Sequence, residues 1–90
     1  MVWASAVADT TQIEFRDPNL EAAIREAIGK PKGFIYVSDV KGLTSLYAAG
    51  RGIRDLTGIQ RCSDLIMVSL PNNQITDISP LAKLPYLTTL

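Results

Sequence analysis

Ninety residues with 47% hydrophobic and 20% charged side chains set the scale of one soluble domain with one modest core. Nine basic and nine acidic residues cancel, and no basic face is clustered, so neither nucleic acid nor an anionic membrane is implied as a partner. Histidine is absent and Cys62 is the sole cysteine, which excludes an intramolecular disulfide and a Cys/His metal cluster.

The chain begins with a stretch of weak character. Ala6-Val7-Ala8 before Asp9 has the small-x-small form of a signal-peptidase site, without a charged region or an apolar run ahead of it. Residues 1–8 are read as a tail or a signal-peptide remnant. Apolar runs throughout are far shorter than the roughly 18 residues of a membrane span.

Residues 9–42 read as a small helical N-terminal cap. Gln12 to Phe15 suit a short extended piece. In DPNLEAAIREAIGKPKG, Asp17 is placed to cap a helix and Pro18 fits its first position. Leu20, Ala23, Ile24, Ala27 and Ile28 repeat at helical spacing, and Glu21 precedes Arg25 by four residues in the favourable order. Gly29 and Pro31 supply the stop. Ile35-Tyr36-Val37 reads as extended, and Ser38 is expected to cap a single helical turn ended by Gly42.

From Leu43 a different rhythm takes over. Leu65, Val68, Leu70, Asn73, Ile75, Ile78, Leu81 and Leu84 map, 22 positions earlier, onto Leu43, Leu46, Ala48, Arg51, Ile53, Leu56, Ile59 and Cys62. Asp55 matches Asp77, and Leu87 and Leu90 begin the pattern again. Periodicity of this length points to a solenoid of stacked units: 43–64, 65–86 and the start of a third at 87–90. The form L-x-x-L-x-L-x-x-N-x-I is that of a leucine-rich repeat. Leu65, Val68 and Leu70 are expected inward around a short parallel strand near Met67 to Leu70. Asn73 is expected to turn inward and satisfy the backbone groups that a turn leaves unpaired. Ile75, Ile78, Leu81 and Leu84, three apart, suit a 3₁₀-like back side with one core side chain per turn. Arg51 departs from the Asn position and is expected to point outward between Gly50 and Gly52. Cys62 takes a leucine position and is expected to be a buried small apolar group.

Residues 13–90 resemble the start of the internalin-like leucine-rich repeat proteins of Gram-positive bacteria. The likeness is carried by FRDPNLEAAIREAIGK, VSDVKGLTSLYAAGRGIRDLTGIQRCSDL and LPNNQITDISPLAKL. It implies an α/β fold, a short right-handed solenoid with parallel strands on its concave face and a small helical cap in front. It also implies a secreted or bacterial cell-surface protein whose concave face binds another protein, without cofactor or metal. Strand alternation then nominates Ser45, Tyr47, Ala49, Met67, Ser69, Pro71 and Thr89 as the binding face, with Tyr47 and Met67 as the large contact groups. Arg51, Arg54 and Asp55 are read as a solvated rim. Leu84, Leu87 and Leu90 approach the last position with no polar cap behind them. They are nominated as an edge for self-association into a homo-oligomer, the alternative being a longer array.

No catalytic constellation is legible. Ser69 and Ser79 have no base nearby in the pattern, the carboxylates are scattered, and no phosphate-binding glycine loop is present. The expectation is a non-enzymatic protein-binding module; the alternative is a capping and nucleation unit that self-associates and has no ligand of its own.

Overall fold

The computed structural model describes residues 11–89. The remnant reading of residues 1–8 and the edge position Leu90 lie outside the described residues. Helix α1 spans Pro18–Ile28. Its start follows from local chemistry: Asp17 holds an extended backbone, its Oδ1 accepts the Asn19 N–H at 2.8 Å, and Pro18 occupies the first turn, where its missing N–H is not needed. Its end is set by Gly29 at φ 69°, with Lys30 N–H returning to the Arg25 carbonyl at 3.0 Å. Arg25 then pins the following loop. Its guanidinium donates to Glu21 at 3.0 Å, to the Lys30 carbonyl at 3.2 Å and to the Gly33 carbonyl at 2.6 Å.

The buried stripe of α1 is narrower than its sequence suggests. Leu20, Ala23 and Ile24 are buried, Ile28 is half-buried and Ala27 is exposed. In front of the helix, Ile13 N–H donates to the Ile35 carbonyl and Val37 N–H to the Thr11 carbonyl, both at 2.8 Å. These two extended pieces run antiparallel through a Gln12–Tyr36 bridge. The turn that follows is a 3₁₀ segment, Val37–Val40. Its cap is not Ser38: Asp39 reaches back to accept the Tyr36 N–H at 2.8 Å and also pairs with Lys30 at 2.8 Å.

Two short strands follow, β1 (Ser45–Tyr47) and β2 (Met67–Ser69). They pair in parallel, with Ser45 against Met67, Leu46 against Val68 and Tyr47 against Ser69. Each pair differs by the 22 residues that separate the matching sequence positions. Strand β2 is one residue shorter than expected, because Leu70 lies beyond the ladder and is half-buried. A parallel bridge from Met67 to Thr89 extends the sheet's direction. On the opposite side the chain returns through 3₁₀ turns at Ile59–Arg61 and Ser79–Lys83, as the three-residue spacing of the aliphatics predicts.

One apolar cluster joins these layers. Leu20, Ile24, Leu46, Ile53, Leu56, Ile59, Cys62, Leu65 and Val68 are all within 2% of complete burial, and each fully buried Leu or Ile contributes about 1.5–3 kcal/mol by area. The second unit is less covered. Ile75 is half-buried and Ile78 is 57% exposed, while Leu81 and Leu84 are buried. The expectation that all four fill the core is therefore corrected at Ile78: its counterpart Leu56 is sealed at 1% exposure, whereas Ile78 stands at the open border of a groove.

Candidate functional site

The strand alternation sorts side chains to two faces. Leu46 and Val68 point into the core, at 2% and 0% exposure. Ser45, Tyr47, Met67 and Ser69 take the opposite side, with Tyr47 69% and Met67 39% exposed. Register aligns them. Ser45, Met67 and Thr89 form one row across the strands, and Tyr47 and Ser69 form the next. Tyr47 and Met67 stand on a diagonal of this face, within reach of one another for long side chains. Ala49 and Pro71 lie just past the strands, linked by Gly50 N–H donating to the Pro71 carbonyl at 2.9 Å, and both are exposed. All seven nominated positions are uncharged in a chain that carries eighteen ionised side chains, so this face offers apolar contact and hydroxyl hydrogen bonds instead of ion pairs.

Behind the face, Asn73 fixes the turn geometry. Its Oδ1 accepts the Arg51 N–H at 2.9 Å and the Ile53 N–H at 3.0 Å, and its Nδ2 donates to the Ala48 carbonyl at 2.7 Å and the Leu70 carbonyl at 3.2 Å. The amide thus ties the end of β2 to the loop after β1. The residue before it, Asn72, sits at φ 60°, and its counterpart 22 residues earlier, Gly50, at φ 62°. Both units make the same left-handed turn, which glycine enters freely and asparagine tolerates better than other side chains.

A carboxylate locks the helical N-terminal region to the segment after β1. Besides capping α1, Asp17 accepts the backbone N–H of Arg54 at 2.6 Å and of Asp55 at 3.1 Å through Oδ2. Asp17 is 7% exposed. Burial pushes its carboxyl upward, but the N–H groups of Arg54, Asp55, Asn19 and Leu20 together outweigh this and hold its pKa below the usual carboxylate value. Arg51 turns outward as expected, and its guanidinium meets both oxygens of Glu26 on α1, the longer contact at 3.4 Å. Arg54 donates to Gln74 at 3.1 Å, and Asp55 accepts from both the N–H and the hydroxyl of Thr57. These rim residues are engaged with their own chain. Asp64 also joins the units, accepting the Gly42 N–H at 2.9 Å.

Of the nominated association edge, Leu84 is 6% exposed and belongs to the core, a correction with a simple cause: it closes the back-side turn over Leu81. Leu87 is half-buried against the same cluster. Besides Ile78, other large apolar groups face solvent without being singled out by the pattern: Phe34, Ile66 and Tyr86, 44–63% exposed. Ile78 borders a groove of about 370 Å³ lined also by Leu56, Leu70, Ile75 and Leu81. Cys62 is fully buried, and burial pushes its thiol up to about 12. Among the described residues no group of His, Cys, Asp or Glu is arranged to hold a metal ion, and no helix is long and apolar enough to cross a membrane.

No protein-family model matches the chain. Internalin H of Listeria monocytogenes is 38% identical over 79 residues, which is 83% of this chain and 14% of that protein. The solved structure of internalin C2 from Listeria monocytogenes superposes with a TM-score of 0.79 at 37% identity, covering 84% of this chain and 34% of that one. A structure of CBM51-2 and INT domains from Clostridium perfringens ZmpB, in complex with GlcNAc, superposes with a TM-score of 0.82 at 32% identity, covering 91% of this chain and 17% of that one. The chain therefore spans about a seventh of the curated relative. Over the shared residues, from the helical N-terminal region through the small parallel sheet, it is similar to the Listeria internalins in sequence and in fold.

Proposed function

We propose that the chain is a non-enzymatic protein-binding module, the N-terminal part of a secreted or cell-surface leucine-rich repeat protein. In this reading residues 9–42 cap a short right-handed solenoid, and units 43–64 and 65–86 present its concave strands to a protein partner. The supporting observation is the uncharged strand face on which Tyr47 and Met67 stand exposed among small residues. Aromatic and methionine side chains ringed by small neighbours are the usual anchors of protein interfaces. Ser45, Ala49, Ser69, Pro71 and Thr89 complete the contact surface, and Asn73 holds its turns. The test is retention of proteins from surface extracts of host and bacterial cells by the immobilised chain, compared with Tyr47→Ala and Met67→Ala. Loss of a retained protein in either variant, with melting unchanged, supports the reading. Retention that survives both substitutions overturns it.

A second reading is favoured by the groove beside Ile78. Here the chain is a capping and nucleation unit that self-associates through its C-terminal repeat edge, Leu87 and Leu90, with the Ile78 groove as a further exposed apolar surface. Light scattering of wild type and Leu87→Asp decides it: oligomers that Asp dissolves support it, and a monomer at all concentrations rejects it.

A further inference from the structure

Strand β1 uses only half of its backbone groups to bind β2. The Thr44 carbonyl accepts from Ile66 and Met67 at 2.7 and 3.1 Å, and Ala48 N–H donates to the Ser69 carbonyl at 2.9 Å. Even-numbered residues thus turn their N–H and C=O toward β2. The alternation of an extended chain turns those of Ser45, Tyr47 and Ala49 the other way. Among the described residues no hydrogen bond reaches these outer groups. All three residues are exposed, while Leu46 and Ala48 between them are buried in the apolar cluster that also holds Leu20, Ala23 and Ile24 of α1. Natural sheet edges are guarded by lysine, proline or a bulge. This edge carries serine, tyrosine and alanine.

We propose that the outer edge of β1 pairs antiparallel with the same edge of a second copy, across a twofold axis at Tyr47. Only another extended backbone offers donors and acceptors alternating at this spacing, and this particular edge complements itself. Tyr47 faces Tyr47, and Ser45 faces Ala49, both small. No like charges are brought opposite one another, which would oppose such a pairing. Each facing pair exchanges two N–H···O=C bonds. The two Tyr47 rings come side by side on the strand face, with their Cα atoms about 5.5 Å apart. The product is one continuous sheet whose binding face is doubled and remains uncharged. This surface is distinct from the repeat end near Leu87, and the two make separable predictions.

The experiment is sedimentation equilibrium of the full chain up to about millimolar concentration, the range a short strand pairing requires, joined to amide hydrogen exchange. The expected result is a concentration-dependent dimer in which the Tyr47 amide becomes protected only as the dimer forms, while the Leu46 amide is protected throughout. Tyr47→Pro removes an outward N–H without touching the bonds to β2 and is expected to weaken the dimer roughly tenfold or more. Tyr47→Lys keeps the backbone and sets two ammonium groups on the axis; it is expected to do the same, so a folding defect in the proline variant does not decide the matter. A monomer at every concentration overturns the proposal. So does a dimer that survives both Tyr47 substitutions and dissolves in Leu87→Asp, or a Tyr47 amide already protected in the dilute monomer.

Discussion

Residues 43–64 and 65–86 carry nearly the same pattern but occupy different environments. Ile53, Leu56, Ile59 and Cys62 lie between the cap and the second unit and are at most 1% exposed. Among their counterparts Ile75, Ile78, Leu81 and Leu84, Leu81 and Leu84 are buried but exposure rises to 57% at Ile78. The shared pattern therefore marks which side chains turn inward, while the surroundings of each segment decide how much water they lose. Stability in such arrays is a sum over units and the contacts between neighbours.

Truncating matched positions is expected to have the largest and most unequal effects. Leu56→Ala is expected to cost about 2–5 kcal/mol, and Ile78→Ala at the equivalent site about 0.5 kcal/mol or less. Urea titrations of both variants measure the gap, and equal losses would show that the second unit is sealed in solution. Asn73→Ala comes next. It strands the Arg51 and Ile53 N–H groups and the Ala48 carbonyl, and an expected loss of about 2–4 kcal/mol follows from leaving such groups unpaired. The amides of Arg51 and Ile53 are expected to lose their protection from hydrogen exchange first.

Gly58→Ala probes how the cap meets the first unit. Gly58 is at φ 110°, and an added Cβ would lie 2.7 Å from Phe15 Cδ1 and 2.8 Å from the Glu14 carbonyl oxygen. A cost of about 1–3 kcal/mol is expected, against about 1 kcal/mol for Gly42→Ala, which also has a positive φ but open space around it. Thermal melts of the pair separate crowding from backbone strain.

Asp17→Asn is expected to cost about 1–2 kcal/mol at neutral pH, with a characteristic pH dependence. The folded pKa of Asp17 is lowered, so its carboxylate stabilises the fold fully above the ordinary value of 3.8 and loses that contribution as pH falls through the lower folded value. The gap between wild type and Asp17→Asn is therefore expected to close in acid, below pH 3.8. A gap constant down to the acid limb would mean that the carboxylate's charge is not what binds the cap.

Features whose partners are near in sequence are legible from the sequence itself. Asp17, Pro18 and Gly29 bound α1 because capping is settled within a few residues. The inward role of Asn73 follows from the repeat form, and the outward turn of Arg51 from its size. Partners supplied by distant chain are harder to read. Nothing local to Asp17 announces that its second oxygen collects two N–H groups 37 and 38 residues away. Nothing around Arg51 names Glu26 as its counter-ion. Spacing identifies Ile78 as an inward position, but spacing does not reveal whether a neighbour covers it. Nearness to the last residue makes Leu84 look like an edge, when its back-side turn in fact closes over the core. Composition alone favours Ser38 as the cap of the short turn, yet the capping is done by Asp39, whose longer side chain reaches back to the Tyr36 N–H.

Cys62 sits where the first unit turns toward the second, fully enclosed and with its thiol pushed up to about 12. In the closed molecule it is both unreachable and un-ionised at neutral pH. A thiol reagent can modify it only after the stack has opened, so the rate of labelling becomes a clock for that opening. Followed in variants of either unit, the same sulfur would time how often cap, first repeat and second repeat part company, with no probe added to the chain.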